Sequence, residues 1–204
     1  MEEMSVKFLI VIDMQRDFID GALGTKEAAS ILPKVIEKIK GFSGKIIATM
    51  DTHQGNYMKT QEGHMLPVPH CIKLTEGWEL NNKVSEFIKN SGNPYEIYMK
   101  PTFGSVDMAS NLAGVYDRRE EPIEEIVLVG LCTDICVVSN ALLLKAFMPE
   151  VKITVDAACC AGVTTESHAA ALKTMQMCQI NIENWGGLNH DFGQSRTHQL
   201  YTVS

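Results

Sequence analysis

The sequence lacks a long apolar run, a basic amino terminus and an excess of positive charge. Its longest apolar runs, residues 8–12 and 141–144, are far shorter than the roughly 20 residues of a membrane-spanning helix. The first residues are acidic where a secretory signal is basic, so we expect a cytoplasmic protein without membrane contact. The formal net charge of -7 excludes a general attraction to phosphate backbones, and no nucleic-acid partner is expected.

Internal repeats and low-complexity tracts are also absent. None of the six cysteines shows the repeated two-residue spacing of a structural zinc site, and reduced thiols are expected. Because 45% of the 204 residues are hydrophobic and 21% are charged, the composition is that of a folded globular protein. We predict a single domain over residues 1–204, in which residues 186–204 form a polar carboxyl-terminal tail.

Short β-branched segments alternate with helical patterns along the chain, which is typical of βαβ units around a buried parallel sheet. Strands are predicted at residues 7–13, 45–50, 96–99, 126–130, 152–155 and 180–182. Helices are predicted at residues 27–39, 80–88, 106–112, 135–147 and 165–177. This order predicts an α/β fold, a three-layer α/β/α sandwich with a mainly parallel sheet of about six strands.

Four polar residues follow predicted strands: Asp13, Asp51, Lys100 and, after a short turn, Cys136. In parallel sheets, ligands bind at the carboxyl ends of the strands, where loops and helix amino termini converge. Taken singly, an aspartate in such a position is usually a helix cap, and a lone cysteine is usually a small core residue. Their coincidence at one edge of the sheet predicts an active site.

Cys136 is the candidate nucleophile, because it enters the first turn of a predicted helix that Thr133 or Asp134 is expected to cap. The positive end of the helix dipole and a nearby Lys100 ammonium are both expected to lower the pKa of the thiol. Asp13 is the candidate general base and acid, which takes the thiol proton and later returns it to a leaving amine.

The loop from residue 51 to residue 76 is long and irregular, and such loops tend to carry function. It contains Asp51, His53, Glu62, His64 and His70. Imidazole and carboxylate ligands suit zinc, iron or manganese, and the one-residue gap between the first two places them on one side of an extended segment. The pattern predicts a divalent metal site, and exposed polar residues without a metal are the alternative.

Three segments resemble the motifs of the isochorismatase-like cysteine hydrolases, in the same order and with similar spacing. They are residues 12–18 (IDMQRDF), 99–105 (MKPTFGS) and 130–137 (GLCTDICV), within a match from residue 8 to residue 183. The resemblance implies that Asp13, Lys100 and Cys136 form the catalytic triad. It also implies a cis peptide between Leu131 and Cys132 and an oxyanion hole made by the backbone amides of Cys132 and Cys136, whereas the Cys132 side chain is given a structural role.

The metal loop is similar to that of the nicotinamidases within this family. Asp51, His53 and His70 match their metal ligands, and Glu62 matches a fourth ligand of some members. The resemblance implies a divalent cofactor, with Zn2+ expected first and Fe2+ or Mn2+ as alternatives.

The resemblance also implies an aromatic primary amide as substrate, with the rings of Phe18 and Phe103 sandwiching it; ordinary core positions are the alternative for both. Nicotinamidases usually carry an aromatic residue shortly before the last metal histidine, whereas this sequence reads LPVPH at residues 66–70. Because of this departure, the sequence does not predict strict specificity for nicotinamide.

The resulting hypothesis is a metal-containing cysteine amidohydrolase that converts nicotinamide to nicotinate and ammonia through a thioester intermediate. One alternative is hydrolysis of another small amide or carbamoyl compound. Another is a catalytically silent relative that binds a metabolite or a protein partner. The family resemblance also implies a homo-oligomer.

Overall fold

Strands and helices alternate along the chain, as the sequence pattern predicts. A computed structural model describes residues 5–118 and 122–186. The strands are β1 (Val6–Ile12), β2 (Lys45–Asp51), β3 (Tyr95–Lys100), β4 (Ile123–Leu131), β5 (Lys152–Ala161) and β6 (Asn181–Glu183). The α-helices are α1 (Arg16–Ile19), α2 (Lys26–Gly41), α3 (Gln61–Met65), α4 (Asn82–Asn90), α5 (Val106–Arg118), α6 (Val138–Phe147) and α7 (Thr165–Met177).

The six strands form one sheet in the order β3-β2-β1-β4-β5-β6, and every neighbouring pair is parallel. The order reverses at β1, which lies between β2 and β4. In doubly wound sheets, the crevice at the carboxyl ends of the strands beside such a reversal is the usual ligand site. The topology therefore directs attention to the loops that follow β1, β2 and β4.

Alternate residues of β1 are buried on opposite faces of the sheet. Phe8, Ile10 and Ile12 join the core beneath α5, α6 and α7, whereas Leu9 and Val11 join the core beneath α2 and α4. Because side chains in a strand point alternately to its two faces, a central strand covered on both sides must be apolar throughout. The predicted three-layer α/β/α sandwich is confirmed.

Local side-chain bonds explain where two of the covering helices begin. The Thr25 hydroxyl accepts a hydrogen bond from the Ala28 amide and caps α2. Thr164 and Ser167 form a reciprocal capping box at the start of α7. Both caps lie at the carboxyl edge of the sheet, so they fix the ends of helices that border the candidate site.

Several element boundaries differ from the prediction. β5 continues to Ala161 rather than ending at residue 155, because it pairs with β4 beyond a register shift near Gly130. α5 runs six residues further than the predicted helix 106–112, to Arg118. The loop from residue 51 to residue 76 contains a 3-10 turn (Tyr57–Lys59) and α3, and α1 was not predicted.

The predicted tail, residues 186–204, lies outside the described residues except for Gly186. The single-domain assignment consequently stays a prediction for the whole chain. Within the part that the structure describes, no helix has the length and apolarity needed to cross a bilayer.

Candidate active site and metal centre

Adjacent strands bring the four predicted polar residues to one edge of the sheet. Asp13 directly follows β1, Asp51 and Lys100 end β2 and β3, and Cys136 lies in the turn after β4. Since β3, β2, β1 and β4 are neighbours in that order, their carboxyl ends are contiguous. The edge therefore gathers a carboxylate pair, an ammonium and a thiol.

The ammonium of Lys100 is the centre of this cluster. Its Nζ atom lies 2.7 Å from Oδ2 of Asp13 and donates a hydrogen bond to Sγ of Cys136 at 3.4 Å. It also lies 3.6 Å from Oδ1 of Asp51. Asp13, Lys100 and Cys136 are only 0%, 1% and 4% exposed, so solvent screens their charges weakly. The structure thus brings the predicted triad together, while the catalytic role of each residue remains a prediction.

Thr49 holds the Asp13 carboxylate in place. The Thr49 hydroxyl donates to Oδ1 of Asp13 at 2.7 Å, and the Asp13 amide lies 3.2 Å from both the hydroxyl and the carbonyl oxygen of Thr49. Asp13 has a positive φ of 46°, which is uncommon outside glycine and is found preferentially at functional sites. The backbone turn and the threonine together leave Oδ2 of Asp13 directed at Lys100.

Burial dominates the protonation of this cluster. It raises the pKa of Cys136 well above that of a free thiol, the negative charge of Asp13 raises the pKa further, and Lys100 opposes both. Burial also raises the pKa of Asp13, against the charge of Lys100. For Lys100, burial favours the neutral amine, but the charges of Asp13, Cys136 and Asp51 outweigh it and raise the pKa. Lys100 thus lowers the pKa of the thiol as expected, but burial and Asp13 outweigh it, so the pKa of Cys136 is raised rather than lowered.

The turn after β4 also differs from the predicted helix start. Thr133–Val137 form a π-helical turn that leads into α6, and neither Thr133 nor Asp134 caps the helix. The Thr133 hydroxyl instead lies 2.8 Å from Nδ1 of His168, and the Asp134 carboxylate accepts from the Val163 amide at 3.1 and 3.2 Å. We call Thr133–Val137 the nucleophile turn, after the predicted role of Cys136. The two bonds connect this turn to α7 and to the loop after β5.

The peptide bond between Leu131 and Cys132 is cis, as the family resemblance implies. The preceding Gly130 has a φ of 120°, and a Cβ atom there would collide with the carbonyl oxygen of Ile12, which explains the glycine. Burial raises the pKa of Cys132 to about 12, which suits the structural role given to its side chain. The oxyanion-hole role of the Cys132 and Cys136 amides stays a prediction.

The four predicted metal ligands also converge. One donor atom from each of Asp51, His53, Glu62 and His70 lies within 4.8 Å of the others. Nε2 of His53 is 3.0 Å from Asp51 and 3.6 Å from Glu62, and Nε2 of His70 is 3.6 Å and 3.8 Å from the same two carboxylates. His64 is exposed and lies outside this cluster, although it shares α3 with Glu62.

The chemistry of these donors fits a divalent cation. Nε2 of His53 is buried without a hydrogen-bond partner. Nδ1 of His70 donates to the Val68 carbonyl at 2.8 Å, which leaves the lone pair of its Nε2 for a ligand bond. Burial disfavours the charged form of Asp51, but the adjacent side chains of His53 and His70 and the charge of Lys100 outweigh it and lower the pKa of Asp51. A carboxylate beside imidazole nitrogens is a typical donor set for a divalent metal.

Two residues that anchor the metal ligands were missed from the sequence. The Gln15 side chain donates to the Asp51 carbonyl at 2.8 Å and to the Trp78 carbonyl at 2.7 Å, and it accepts from the Asp51 amide at 2.7 Å. Tyr57 packs its ring against His53 and His70, with centroid distances of 4.7 and 5.0 Å. Gln15 lies inside the first resemblance motif, two residues after the candidate base, which was a usable signal.

Asn140 was also missed, although it is a buried amide on the mainly apolar α6. Its Nδ2 donates to the carbonyl of Cys136 at 2.7 Å and to that of Phe103 at 3.2 Å, and its Oδ1 accepts from the Ser105 amide at 2.9 Å. These bonds connect the nucleophile turn to the loop that follows Lys100. A polar amide four positions after Cys136, and so on the same face of a mainly apolar helical segment, is the signal that sequence reasoning passed over.

A cavity of about 360 Å3 opens over both clusters. Phe18 and Phe103 both line it, so neither is an enclosed core residue. The Phe18 ring packs against His70 with the ring centroids 5.6 Å apart. Leu66, from the segment before His70, supplies an aliphatic part of the wall. The cavity therefore has room for a small ligand above Cys136.

A parallel α/β sandwich with a thiol, an ammonium and a carboxylate clustered at its carboxyl edge defines the class of this protein. The chain belongs to the isochorismatase family, because the Isochorismatase domain model matches residues 7–184. An isochorismatase family protein of Bacillus subtilis, PncA, is 32% identical over 177 residues, which cover 81% of this chain and 92% of the relative.

Solved structures agree with this assignment. The nicotinamidase/pyrazinamidase PncA of Bacillus subtilis has a TM-score of 0.72 and 26% identity, over 87% of this chain and 98% of that one. A pyrazinamidase of Pyrococcus horikoshii, solved in complex with zinc, has a TM-score of 0.66 and 28% identity, over 86% and 97% of the two chains. The similarity thus extends over nearly the whole length of these relatives.

Proposed function

We propose that this protein is a cysteine amidohydrolase that converts nicotinamide to nicotinate and ammonia. The observation that carries the proposal is the position of the Lys100 ammonium, in contact with both the Asp13 carboxylate and the Cys136 sulfur. Similarity to relatives named nicotinamidase or pyrazinamidase supports the choice of substrate.

The reaction begins with transfer of the Cys136 thiol proton to the Asp13 carboxylate. The thiolate attacks the carbonyl carbon of the amide, and the carbon–nitrogen bond breaks as Asp13 returns the proton to the nitrogen, so that ammonia leaves. The resulting thioester is hydrolysed by water, which regenerates the thiol and releases the acid. Lys100 stays charged and offsets the negative charge that moves between Asp13 and Cys136.

The backbone amides of Cys132 and Cys136 are proposed to stabilise the oxyanion, a contribution of about 3 kcal/mol for each donor. Phe18 and Phe103 are proposed to hold the ring of the substrate, since both line the cavity above Cys136.

Asp51, His53, Glu62 and His70 would hold a divalent cation beside this site, and Zn2+ is the proposed ion. When bound, the cation would supply a Lewis acid that ligates and orients the substrate. Lys100 contacts Asp51 as well as Asp13, so the protein itself links the ligand cluster to the proton-transfer pair.

The proposal includes a cytoplasmic location, a single domain over the whole chain and a homo-oligomeric state.

A second candidate function is hydrolysis of another small amide or carbamoyl compound. The aliphatic wall at Leu66 favours it, because an aromatic side chain before the last metal histidine is the usual nicotinamidase pattern.

Elemental analysis of the purified protein, combined with an assay of ammonia and nicotinate release from nicotinamide, tests the proposal. We expect a divalent metal in stoichiometric amount and equal yields of the two products. Metal-loaded protein that releases no ammonia from nicotinamide would overturn the substrate assignment. A substrate panel that also gives no ammonia would instead favour a catalytically silent metabolite-binding or protein-binding relative.

A further inference from the structure

The cavity above Cys136 has a polar floor and an apolar mouth. Its floor holds the sulfur of Cys136 and the neighbouring carboxylate and imidazole groups. Four large apolar side chains at the mouth line the cavity and are also exposed. They are Met65, Leu66, Phe103 and Val163, with relative exposures of 82%, 38%, 47% and 54%. We call these four residues the apolar rim.

The apolar rim is assembled from three separate segments. Met65 and Leu66 lie at the end of α3, Phe103 lies in the loop after β3, and Val163 lies in the loop after β5. A single exposed apolar residue is ordinary on a protein surface, but a set that converges on one opening marks a binding surface. Because the opening leads directly to Cys136, the occupant that the rim suits is the outer part of a substrate.

The charges around the cavity restrict the kind of substrate. Its described lining residues include no lysine or arginine, and the side chains of Asp51 and Glu62 lie at the floor. None of the four rim side chains is polar, so the rim itself offers no hydrogen-bond donor and no positive charge. An anionic substituent in contact with the rim would therefore lose hydration without gaining a charged partner.

The size of the cavity also favours a substrate that carries an apolar substituent. Its volume of about 360 Å3 lies within the roughly 300–1,000 Å3 of pockets that bury drug-sized ligands. If Phe18 and Phe103 hold the ring of the substrate, as proposed above, the other three rim residues, Met65, Leu66 and Val163, are left to contact a substituent on that ring. The floor and the rim together are matched to a larger molecule with a neutral, apolar outer part.

We infer that the substrates of this site include primary carboxamides that carry an apolar alkyl or aryl substituent, which the apolar rim covers while the amide reacts at Cys136. This inference rests on the proposed amidohydrolase function. The rim selects neutral apolar substituents and disfavours carboxylated ones.

Ammonia release by the metal-loaded protein from nicotinamide and from pyridine-3-carboxamides substituted at ring carbon 5 or 6 tests the inference. The substituents are methyl, propyl, phenyl and carboxyl. At one of the two ring positions, each methylene that the rim buries is expected to raise kcat/KM by up to about fourfold. The carboxyl compounds are expected to fall below nicotinamide.

Two rim variants, Met65→Gln and Val163→Thr, identify the surface responsible. Each is expected to lower the ratio of kcat/KM for the preferred propyl compound to that for nicotinamide by about threefold, since it removes apolar contact. Met177→Gln is the matched control, because Met177 is 70% exposed at the end of α7 and does not line the cavity. It should leave the ratio unchanged.

The outcomes separate this inference from the proposed function. Hydrolysis of nicotinamide without a gain from any apolar substituent overturns the inference and leaves the proposed function standing. A gain that both rim variants leave unchanged also overturns it, because the rim is then not the binding surface. Absence of ammonia from every compound overturns both.

Discussion

The side chain of Gln15 is paired with the backbone of Asp51 through two hydrogen bonds. Its Nε2 donates to the Asp51 carbonyl at 2.8 Å, and its Oε1 accepts from the Asp51 amide at 2.7 Å. Gln15 is fully buried and lies two residues after Asp13. The pairing therefore sets the end of β2, which carries a candidate metal ligand, relative to the end of β1, which carries the candidate base.

Replacing this glutamine tests whether it positions the metal ligand. Gln15→Leu removes both hydrogen bonds and leaves the Asp51 carboxylate less constrained, so zinc affinity should fall by about 10-fold to 100-fold. Competition with a chromophoric chelator measures the affinity. Gln176→Leu, at an exposed position of α7, should bind zinc as the wild type does. A folded Gln15→Leu variant with unchanged affinity would contradict the positioning role.

Two histidines of the same loop provide a matched test of the metal centre. His53→Asn removes a donor atom from the ligand cluster and should abolish stoichiometric zinc binding. His64→Asn alters an exposed histidine outside the cluster and should retain the metal. Elemental analysis after gel filtration distinguishes the two. Equal metal content in both variants would show that the cluster does not hold the ion.

The acid side of the pH–activity profile should report on Asp13. Asp13 must be ionised to accept the thiol proton, and burial raises its pKa above the ordinary value. The rate constant kcat/KM should therefore fall as the pH drops through a midpoint above about 4. Metal analysis at each pH separates protonation of Asp13 from loss of the ion. A midpoint at or below the ordinary aspartate range would rule out this assignment.

The ion pair between Lys38 and Asp156 should stabilise the fold between about pH 4 and pH 10. Burial disfavours the Asp156 carboxylate, but the hydrogen bond from Lys38 at 2.7 Å outweighs it and lowers the pKa of Asp156. Burial lowers the pKa of Lys38, and the bond to Asp156 outweighs this and raises it. A lowered carboxyl pKa gives stability that is lost in acid, and a raised lysine pKa gives stability that is lost in base.

Lys38→Met should reduce the free energy of unfolding at neutral pH by about 2 kcal/mol, because it leaves a buried carboxylate with weaker partners. The loss should shrink at pH 3, because the aspartate carboxyl group of the unfolded chain is already largely protonated there. Urea unfolding at both pH values measures it. Lys7→Met, which breaks a half-exposed pair with Glu124, should leave stability nearly unchanged at either pH, because solvent screens the pair. A Lys38→Met effect that does not depend on pH would contradict the ionic origin.

The layers of the fold and the gathering of the site residues were predictable from the sequence, because both follow from local pattern. The apolar run that forms β1 can be recognised from its own residues. Asp13 directly follows β1, and Asp51 and Lys100 are the last residues of β2 and β3. The carboxyl ends of neighbouring parallel strands must meet at one edge. The three family motifs then indicated which polar residues belong to one active site.

The protonation and the anchoring of the site were not predictable, because they depend on contacts between distant segments. The pKa of Cys136 is set by burial, which no local spacing reports. The bond between Thr133 and His168 joins residues 35 positions apart, so a capping role was the natural but wrong expectation for Thr133. Asn140 likewise forms a hydrogen bond with a loop that precedes it in the sequence by more than 30 residues.

The identity of the nucleophile is the centre of this account, and ammonia release by cysteine variants tests it most directly. Cys136→Ala should release no ammonia from nicotinamide while it keeps the fold and the metal content. Cys132→Ala should retain most of the activity, because only the backbone amide of Cys132 is assigned a part in the reaction. Ammonia release by Cys136→Ala at a rate near that of the wild type would contradict the account.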